Sequence, residues 1–365
     1  MLATALRALG SRRSQAGTLL AIAVLVAAAA FAAPLFVYAS IQTVAQRDVA
    51  AAPATQRVLS VSQDLPSGST AADLGRYQEE LDRYPALRGF TAVPGYLAKG
   101  TIADARGVRY TNSPMAYRDG VCGQVSLLGR CADAPGTALV SSRTAAALGI
   151  GPGAKIQVQT AGPPRPVVLT VTGVYRPRDP TAPYWVTAGL LGGTATGSST
   201  AGSADAVFVP RDTLVGSGAA TVTVTLDLIM QPAALRDRGP ADVATEVLGR
   251  LGAVRADGYQ ADTAITELTN HIIDDQSLIL VAVPLVAGQL LVLGWFALLL
   301  AVTATAAARR PDVGLLKLRG LAGTRIWVVI GGQNAIPVLA GAPVGAVLGW
   351  LLARALAGSV DDPRQ

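Results

Sequence analysis

Three long apolar blocks stand out in the pattern of hydrophobic and polar positions along the chain. The first covers residues 16–39, the second 277–308 and the third 326–353, and none contains an Asp, Glu, Lys or Arg. Each is longer than the roughly 20 residues that an α-helix needs to cross the hydrocarbon core of a bilayer. The pattern therefore predicts an integral membrane protein with about three transmembrane helices.

The first block has a second interpretation, because Arg7, Arg12 and Arg13 precede it and Ala30-Phe31-Ala32 resembles a small-residue cleavage site. Together these features outline a secretory signal peptide, whose apolar region usually has about 7–15 residues. The apolar run here is much longer, which favours an uncleaved membrane anchor over a cleaved signal.

The basic excess is confined to two short segments. Residues 1–15 carry three arginines and no acidic residue, and residues 309–325 carry five basic residues against Asp312 alone. Cytoplasmic loops of membrane proteins are enriched in Lys and Arg. We therefore expect a multi-pass cell-membrane protein with a cytoplasmic N-terminus, an extracytoplasmic segment 40–276 and an extracytoplasmic tail 354–365. The net charge of +6 then reflects topology, and no nucleic-acid partner is expected.

The segment 40–276 predicts an α+β domain with a β-rich subdomain inserted at about 101–215. Around the insertion, periodicity predicts strands at 57–63, 90–97 and 221–227 and helices at 71–84, 241–251 and 262–276. Within the insertion, turn residues separate short strands at 138–141, 155–159, 167–175 and 206–210. Residues 194–204 are rich in Gly, Ser, Thr and Ala and predict a mobile loop.

The two cysteines, Cys122 and Cys131, both lie in this outer segment. Outside the cytoplasm such a pair is free to oxidise, so we predict a disulfide that pins a local turn; two unlinked thiols are the alternative. A zinc site is not expected, because the single histidine, His271, is far away in sequence.

The chain lacks the common catalytic motifs. It contains no G-x-x-x-x-G-K-[ST], no G-x-S-x-G and no H-E-x-x-H, and one histidine nearly excludes an ordinary triad. Asp274 and Asp275 are adjacent, so on a helix they would point about 100° apart and could not face each other as an acid and a base. Spans without ionisable residues also disfavour an ion pathway or proton relay. We therefore predict no enzymatic activity, no metal and no cofactor.

Three glycines in the third block, Gly341, Gly345 and Gly349, follow one another at every fourth position. On a helix they share one face and allow another helix to approach closely. We predict a helix-packing face there, with chance in an Ala- and Gly-rich segment as the alternative.

The segment 309–325 interleaves apolar and basic residues after Pro311 and Asp312, which suit the first turn of a helix. It predicts a short amphipathic helix that lies on the membrane surface or docks against a partner. The residues that would make the contact are Asp312, Gly314, Leu315, Leu316, Lys317, Leu318, Arg319 and Gly320.

This segment resembles the cytoplasmic coupling segment of FtsX-like and MacB-like ABC transporter permeases, of the approximate pattern R-x-x-E-[IV]-G-[IL]-[LM]-[RK]-A-[LIM]-G. The run D-V-G-L-L-K at 312–317 follows the pattern with Asp for Glu, and Leu318-Arg319-Gly320 departs from it. The outer segment is similar to MacB-type periplasmic core domains in the order of its short motifs, at 127–131, 139–141, 147–150, 153–155 and 171–175.

The resemblance implies a permease subunit whose ATPase is a separate chain, which moves the outer domain by mechanotransmission in an export or extraction system. It also implies contact with membrane lipid and a second permease copy or half. The family unit has four spans, whereas this sequence has three, so the fourth is lost or the chain is the front of a longer permease. The alternatives are a membrane regulator whose outer domain binds a cell-wall hydrolase or a signal, and, more weakly, a membrane-anchored enzyme.

Overall fold

The computed structural model describes residues 13–65, 71–82, 86–105, 110–162, 165–187, 190–192, 204–236, 238–307 and 323–360. Its α-helices in these ranges are α1 (Arg13–Ala51), α2 (Ala71–Asp82), α3 (Val121–Gln124), α4 (Ser142–Leu148), α5 (Arg211–Val215), α6 (Pro240–Ala256), α7 (Ile265–Ala307) and α8 (Gly323–Val360). Its strands are β1 (Val58–Leu65), β2 (Phe90–Ala98), β3 (Gly100–Asp104), β4 (Tyr110–Asn112), β5 (Met115–Arg118), β6 (Val125–Gly129), β7 (Thr137–Ser141), β8 (Lys155–Thr160), β9 (Val167–Pro177), β10 (Val207–Phe208), β11 (Val222–Met230) and β12 (Gln260–Thr263).

The chain divides into two compact units. Residues 45–273 form an α/β domain, and the residues on either side of this range form a helical unit. The sequence predicted the outer domain at 40–276.

The helical unit is built from three long apolar helices, α1, α7 and α8. Each contains a segment that is long and apolar enough to cross a membrane, namely Gly17–Pro34, Ile265–Ala304 and Ala335–Leu352. Large apolar side chains on α7, such as Leu293 and Trp295, are about two-thirds exposed in the isolated chain. Exposed apolar surface on this scale is typical of helices whose solvent is lipid. These helices make the chain a membrane protein.

One mixed sheet forms the centre of the α/β domain. Its strand order is β12-β1-β11-β2-β5-β10-β7-β9-β8-β3-β4, with β6 paired to β9. Neighbouring strands are antiparallel except for β5 with β10 and β7 with β9, which are parallel. The strands of the range 101–215 therefore continue the same sheet as β1, β2 and β11.

The two faces of the sheet bury different apolar clusters. Alternate residues of a strand point to opposite faces, and on β11 Leu228 and Met230 belong to the larger cluster while Ile229 belongs to the smaller one. The larger cluster includes apolar residues of α2, α4, α5 and α6. The smaller cluster collects Tyr175, Tyr184, Trp185 and Phe208, whose rings meet edge to face.

The ends of two long helices also belong to the larger cluster. Val49 of α1 is completely buried in it, and so are Ile265 and Ile272 of α7. The domain core is thus built partly from the helical segments through which the chain enters and leaves it.

Most predicted elements are present, with corrections at their ends. The strand predicted at 221–227 continues to Met230, and the helix predicted at 241–251 spans Pro240–Ala256. The helix predicted to begin at residue 262 begins at Ile265, because Asp262 pairs with Ser60 in the strand β12. Four further strands, β3 to β6, lie in a stretch whose many turn residues obscured their alternation.

Candidate functional site

The predicted coupling residues lie outside the described residues. Asp312, Gly314, Leu315, Leu316, Lys317, Leu318, Arg319 and Gly320 all fall in the range 308–322. This range connects the end of α7 at Ala307 to the start of α8 at Gly323.

The three glycines predicted as a packing face lie against α1. A Cβ atom built on Gly341 would come within 2.9 Å of Ala23 Cβ, and one on Gly345 within 2.6 Å of Ala27 Cβ. A Cβ on Gly349 would come within 2.6 Å of the Ala28 carbonyl oxygen. Real Cβ atoms do not approach this closely, so the two backbones meet where α8 has no side chains, the arrangement that small residues at every fourth position allow.

A glycine of α7 meets α1 in the same way. A Cβ on Gly294 would lie 2.5 Å from Val26 Cγ2. Val26 lies within the stretch of α1, residues 20–32, that the glycines of α8 also meet, so α1 packs against both other helices of the unit. Sequence analysis could not predict this contact, because Gly288 and Gly294, the two glycines of α7, do not share the every-fourth-position spacing.

The two cysteines form a disulfide in the α/β domain. Cys122 lies on α3 and Cys131 follows β6, with their Cα atoms 6.1 Å apart. Both border a hollow of about 260 Å³, whose lining also includes the carboxylates Asp119 and Asp133 and the apolar residues Leu139 and Phe208. The bridge fixes one wall of this hollow.

A buried ion pair lies beneath the sheet near this hollow. Arg118 Nη2 donates to Asp227 Oδ2 at 2.7 Å, and each side chain is only 1% exposed. Ser60 Oγ donates to Asp227 Oδ1 at 2.7 Å, and Thr187 also contacts this carboxylate. These donors provide the partners that a buried carboxylate requires.

Glycine at position 95 leaves room for this pair. Gly95 lies on β2, between the strands of Arg118 and Asp227, and pairs directly with Arg118. A Cβ there would lie 2.8 Å from Thr225 Oγ1 and 3.7 Å from Arg118 Nη1. The absent side chain lets the guanidinium cross β2, where it also stacks 4.7 Å from the centre of the Tyr184 ring.

Three tyrosines of the domain, two near this pair and Tyr175 near Arg143 and Asp205, have raised pKa values. Burial, with a smaller contribution from Asp119, raises the pKa of Tyr184, although Arg118 acts in the opposite direction. Burial also raises the pKa of Tyr117, and complete burial places the pKa of Tyr175 well above its usual value of 10.0. All three side chains therefore stay neutral at physiological pH and act as hydrogen-bonding and packing groups.

A second ion pair closes the base of the predicted mobile loop. Asp205 follows this loop, and its carboxylate accepts bonds from Arg143 Nε at 3.0 Å and from the Gly192 amide at 2.9 Å. Arg143 also donates to the Gly192 carbonyl. Most of the loop itself, residues 193–203, lies outside the described residues.

The described residues bring together no recognisable catalytic set. Their one close group of His, Cys, Asp or Glu side chains is Cys122, Cys131 and Asp133, and the disulfide removes both thiolates as metal ligands. His271 is exposed on α7. What the described residues offer is a packed helical unit and a disulfide-braced domain, and neither contains a chemical centre.

One family model and a solved structure are similar to parts of this chain. A search of the curated proteins finds no match. Among solved structures, a crystal structure of a domain of a presumed permease from Porphyromonas gingivalis matches with a TM-score of 0.29 and 13% identity, over 60% of this chain and 98% of that one. A TM-score this low carries no argument. Residues 284–363 match the family model of the FtsX-like permease C-terminal region.

The described residues contain three helices that are apolar and long enough to span a membrane, and a mixed-sheet domain that lies between the first two of them in sequence. Over residues 284–363 the chain is similar to the C-terminal region of FtsX-like permeases, and this match confirms the FtsX-like resemblance of the sequence over that range.

Proposed function

We propose that this chain is the permease subunit of an ABC transporter system and couples ATP hydrolysis by a separate ATPase chain to movement of its α/β domain. The observation that carries the proposal is the family match over residues 284–363, which contains the whole segment predicted to couple to the ATPase. FtsX-like permeases work with ABC ATPase partners, and the predicted coupling segment would be the surface for that partner.

The course of α7 supports mechanotransmission. This helix spans Ile265–Ala307, with Pro284 inside it, and so connects the α/β domain to the coupling segment along the chain. Its first turns are buried in the domain core, where Ile265 and Ile272 are fully enclosed. Its last turn leads directly into the coupling segment. A displacement of the segment therefore reaches the sheet through one secondary-structure element.

The position of β12 extends this path into the sheet. One residue separates β12 from α7, and β12 pairs with β1, which in turn pairs with β11. Because packed interiors resist compression, a movement of α7 should move these strands together. The export, extraction or signalling role of that movement depends on what the α/β domain binds.

A substitution in the coupling segment tests the proposal. Leu316→Asp places a charge where we expect an apolar anchor in an ATPase groove, and truncating such an anchor typically costs about 2 kcal/mol or more of binding free energy. We expect the ATPase to be lost from the purified complex. Lys317→Ala is the matched control at the next residue; its charge should mainly steer association, so we expect only modest weakening.

Two readouts show that the variant protein is intact. Leu316→Asp protein should remain in the membrane fraction, and its Cys122–Cys131 pair should remain resistant to alkylation. If ATPase binding and nucleotide-dependent activity are unchanged in Leu316→Asp, the segment is only a connection between two spans, and the permease proposal loses its support at the residue level.

A further inference from the structure

A cavity of about 500 Å³ lies between α1 and α7 in the helical unit. Among the side chains that the structure describes, the walls consist of hydrocarbon side chains and glycine, namely Ala30, Ala33, Pro34, Val37 and Ile41 of α1 and Leu280, Val283, Pro284, Ala287, Gly288 and Leu291 of α7. Pro34 and Leu280 are exposed, so the cavity is open on the surface of the two helices.

Two features of the sequence create this space. Both walls contain a proline inside a helix, and proline removes one main-chain hydrogen bond and crowds the preceding turn, so each helix is loosened there. Small residues then leave the gap unfilled. A Cβ atom built on Gly288 would meet nothing within 4 Å, in contrast to Gly294 of the same helix.

The dimensions of the cavity restrict what can occupy it. The lining extends over 11 residue steps on each helix, or about 16 Å, which is close to half of a hydrocarbon core of roughly 30 Å. The cavity therefore has the length of one acyl chain in a single leaflet, whereas a spanning helix would follow the two walls through the full thickness of the hydrocarbon core.

We propose that this cavity is a binding site for one acyl chain of a membrane phospholipid. An empty apolar cavity forfeits the dispersion contacts of its walls, and the hydrocarbon available at this depth is the lipid tail. Because tails are as apolar as the lining, the gain in free energy comes from close packing rather than from the hydrophobic effect. The lining residues that the structure describes are all apolar, so they favour a hydrocarbon ligand.

The site lies at the ends of the helices that continue into the α/β domain. Ile41 lies four residues before Ala45, where the domain begins, and Leu280 lies seven residues after Ile273, where it ends. The lining therefore comes from the half of each apolar segment that is nearer to residues 45–273 in the sequence. This assignment requires only membrane insertion and is independent of the ATPase partner.

Native mass spectrometry of the full-length protein released from detergent tests the site. We expect a phospholipid adduct on the wild-type protein. Gly288→Trp fills the cavity, and the lipid-bound fraction should fall at least about tenfold, equivalent to a loss of ~1.4 kcal/mol. Leu290→Trp is the matched control, because Leu290 is on the same helix, is 56% exposed and does not line the cavity; its adduct should persist.

Ala33→Phe fills the opposite wall and provides an independent variant should Gly288→Trp fail to insert. Equal lipid retention in the cavity-filling variants and the control would overturn the proposal, and so would a wild-type protein that carries no lipid. The proposal would also be overturned if the wild-type protein carried no lipid but formed dimers that Gly288→Trp abolishes. The occupant of the cavity would then be a second copy of this chain.

Discussion

The side chain of Asp227 is a charged group in the interior of the α/β domain. It lies within β11 and is almost completely removed from solvent, yet it carries a carboxylate. A charge in such a place is tolerated only when it is paired and hydrogen-bonded. Arg118, Ser60 and Thr187 supply that compensation from three different segments of the chain.

Removing this carboxylate should destabilise the protein strongly. Asp227→Ala leaves the Arg118 guanidinium buried without its counter-charge, a change that typically costs about 3–5 kcal/mol of unfolding free energy. The control is Asp73→Ala, which breaks an ion pair whose arginine is 64% exposed, and such pairs contribute about 1 kcal/mol or less. Denaturant unfolding of the purified protein measures both. If the two variants lose similar amounts of unfolding free energy, the burial of the Arg118–Asp227 pair does not make its loss more costly, which would contradict the prediction.

The buried tyrosines predict a stability that falls at high pH. Burial raises the pKa of Tyr184 and of Tyr175 in the folded state above the usual 10.0, while in the unfolded chain both ionise near that value. The folded state then binds more protons than the unfolded state above about pH 10, so the free energy of unfolding decreases as the pH rises. Below that pH the contribution of both groups is fully present.

Unfolding midpoints measured from pH 8 to pH 11 test this dependence. Tyr184→Phe removes one of the two groups, so its midpoints should decline less steeply with pH than those of the wild type. The variant Asp73→Ala, which alters no tyrosine, should retain the wild-type slope. If the wild-type midpoint stays constant through pH 11, these tyrosines ionise as readily in the folded protein as in the unfolded chain, and the prediction is wrong.

At the scale of elements, the glycine face of α8 carries the clearest prediction. Gly345→Leu requires a side chain where a Cβ alone would already lie 2.6 Å from Ala27 Cβ. The helices must separate, and overpacking of this kind typically costs about 1–3 kcal/mol or more. The midpoint of thermal aggregation in detergent should drop.

The neighbouring residue gives the control for that experiment. Val344 is 50% exposed, so Val344→Leu enlarges a side chain on the same helix without entering the contact. Its midpoint should remain close to that of the wild type. A drop of equal size in both variants would mean that α8 is simply intolerant of larger residues, and the packing role of the glycines would be refuted.

The same elements show what a sequence reveals and what it leaves hidden. The alternation T-V-T-V-T-L-D is a local pattern and predicts β11, but the strand continues past Asp227 because Arg118, 109 positions away, neutralises it. The spacing of Gly341, Gly345 and Gly349 is likewise local, whereas nothing in that spacing identifies α1 as the partner. Local periodicity predicts elements; pairing across the chain decides where they end and what they contact.

The candidate site follows the same division. The coupling segment could be recognised from consecutive residues at 309–325. The acyl-chain cavity could not, because its walls come from stretches about 240 positions apart and consist of residues common to every apolar helix. Only the juxtaposition of Pro34 and Pro284 with small neighbours creates it.

At the scale of the whole molecule, the distribution of charge predicts the topology. We expect a reporter that is active only in the cytoplasm to give no signal when it is fused after Gln365, because the basic segments 1–15 and 309–325 should be retained inside. The same reporter inserted after Gly320 is the control and should be active. Strong activity at Gln365 would contradict the arrangement of three spans with the tail outside.

The first and last strands of the α/β domain lie side by side. Leu59 of β1 pairs with Thr263 of β12, and the Thr263 hydroxyl donates to the Val58 carbonyl at 3.1 Å. Domains whose termini lie close together tolerate being inserted into, or removed from, another chain. An ancestor of this protein could therefore have acquired the domain in a single recombination event between two membrane helices. By the same geometry, one set of membrane helices could carry different α/β domains in different descendants, so that the inserted domain changes while the helices stay the same.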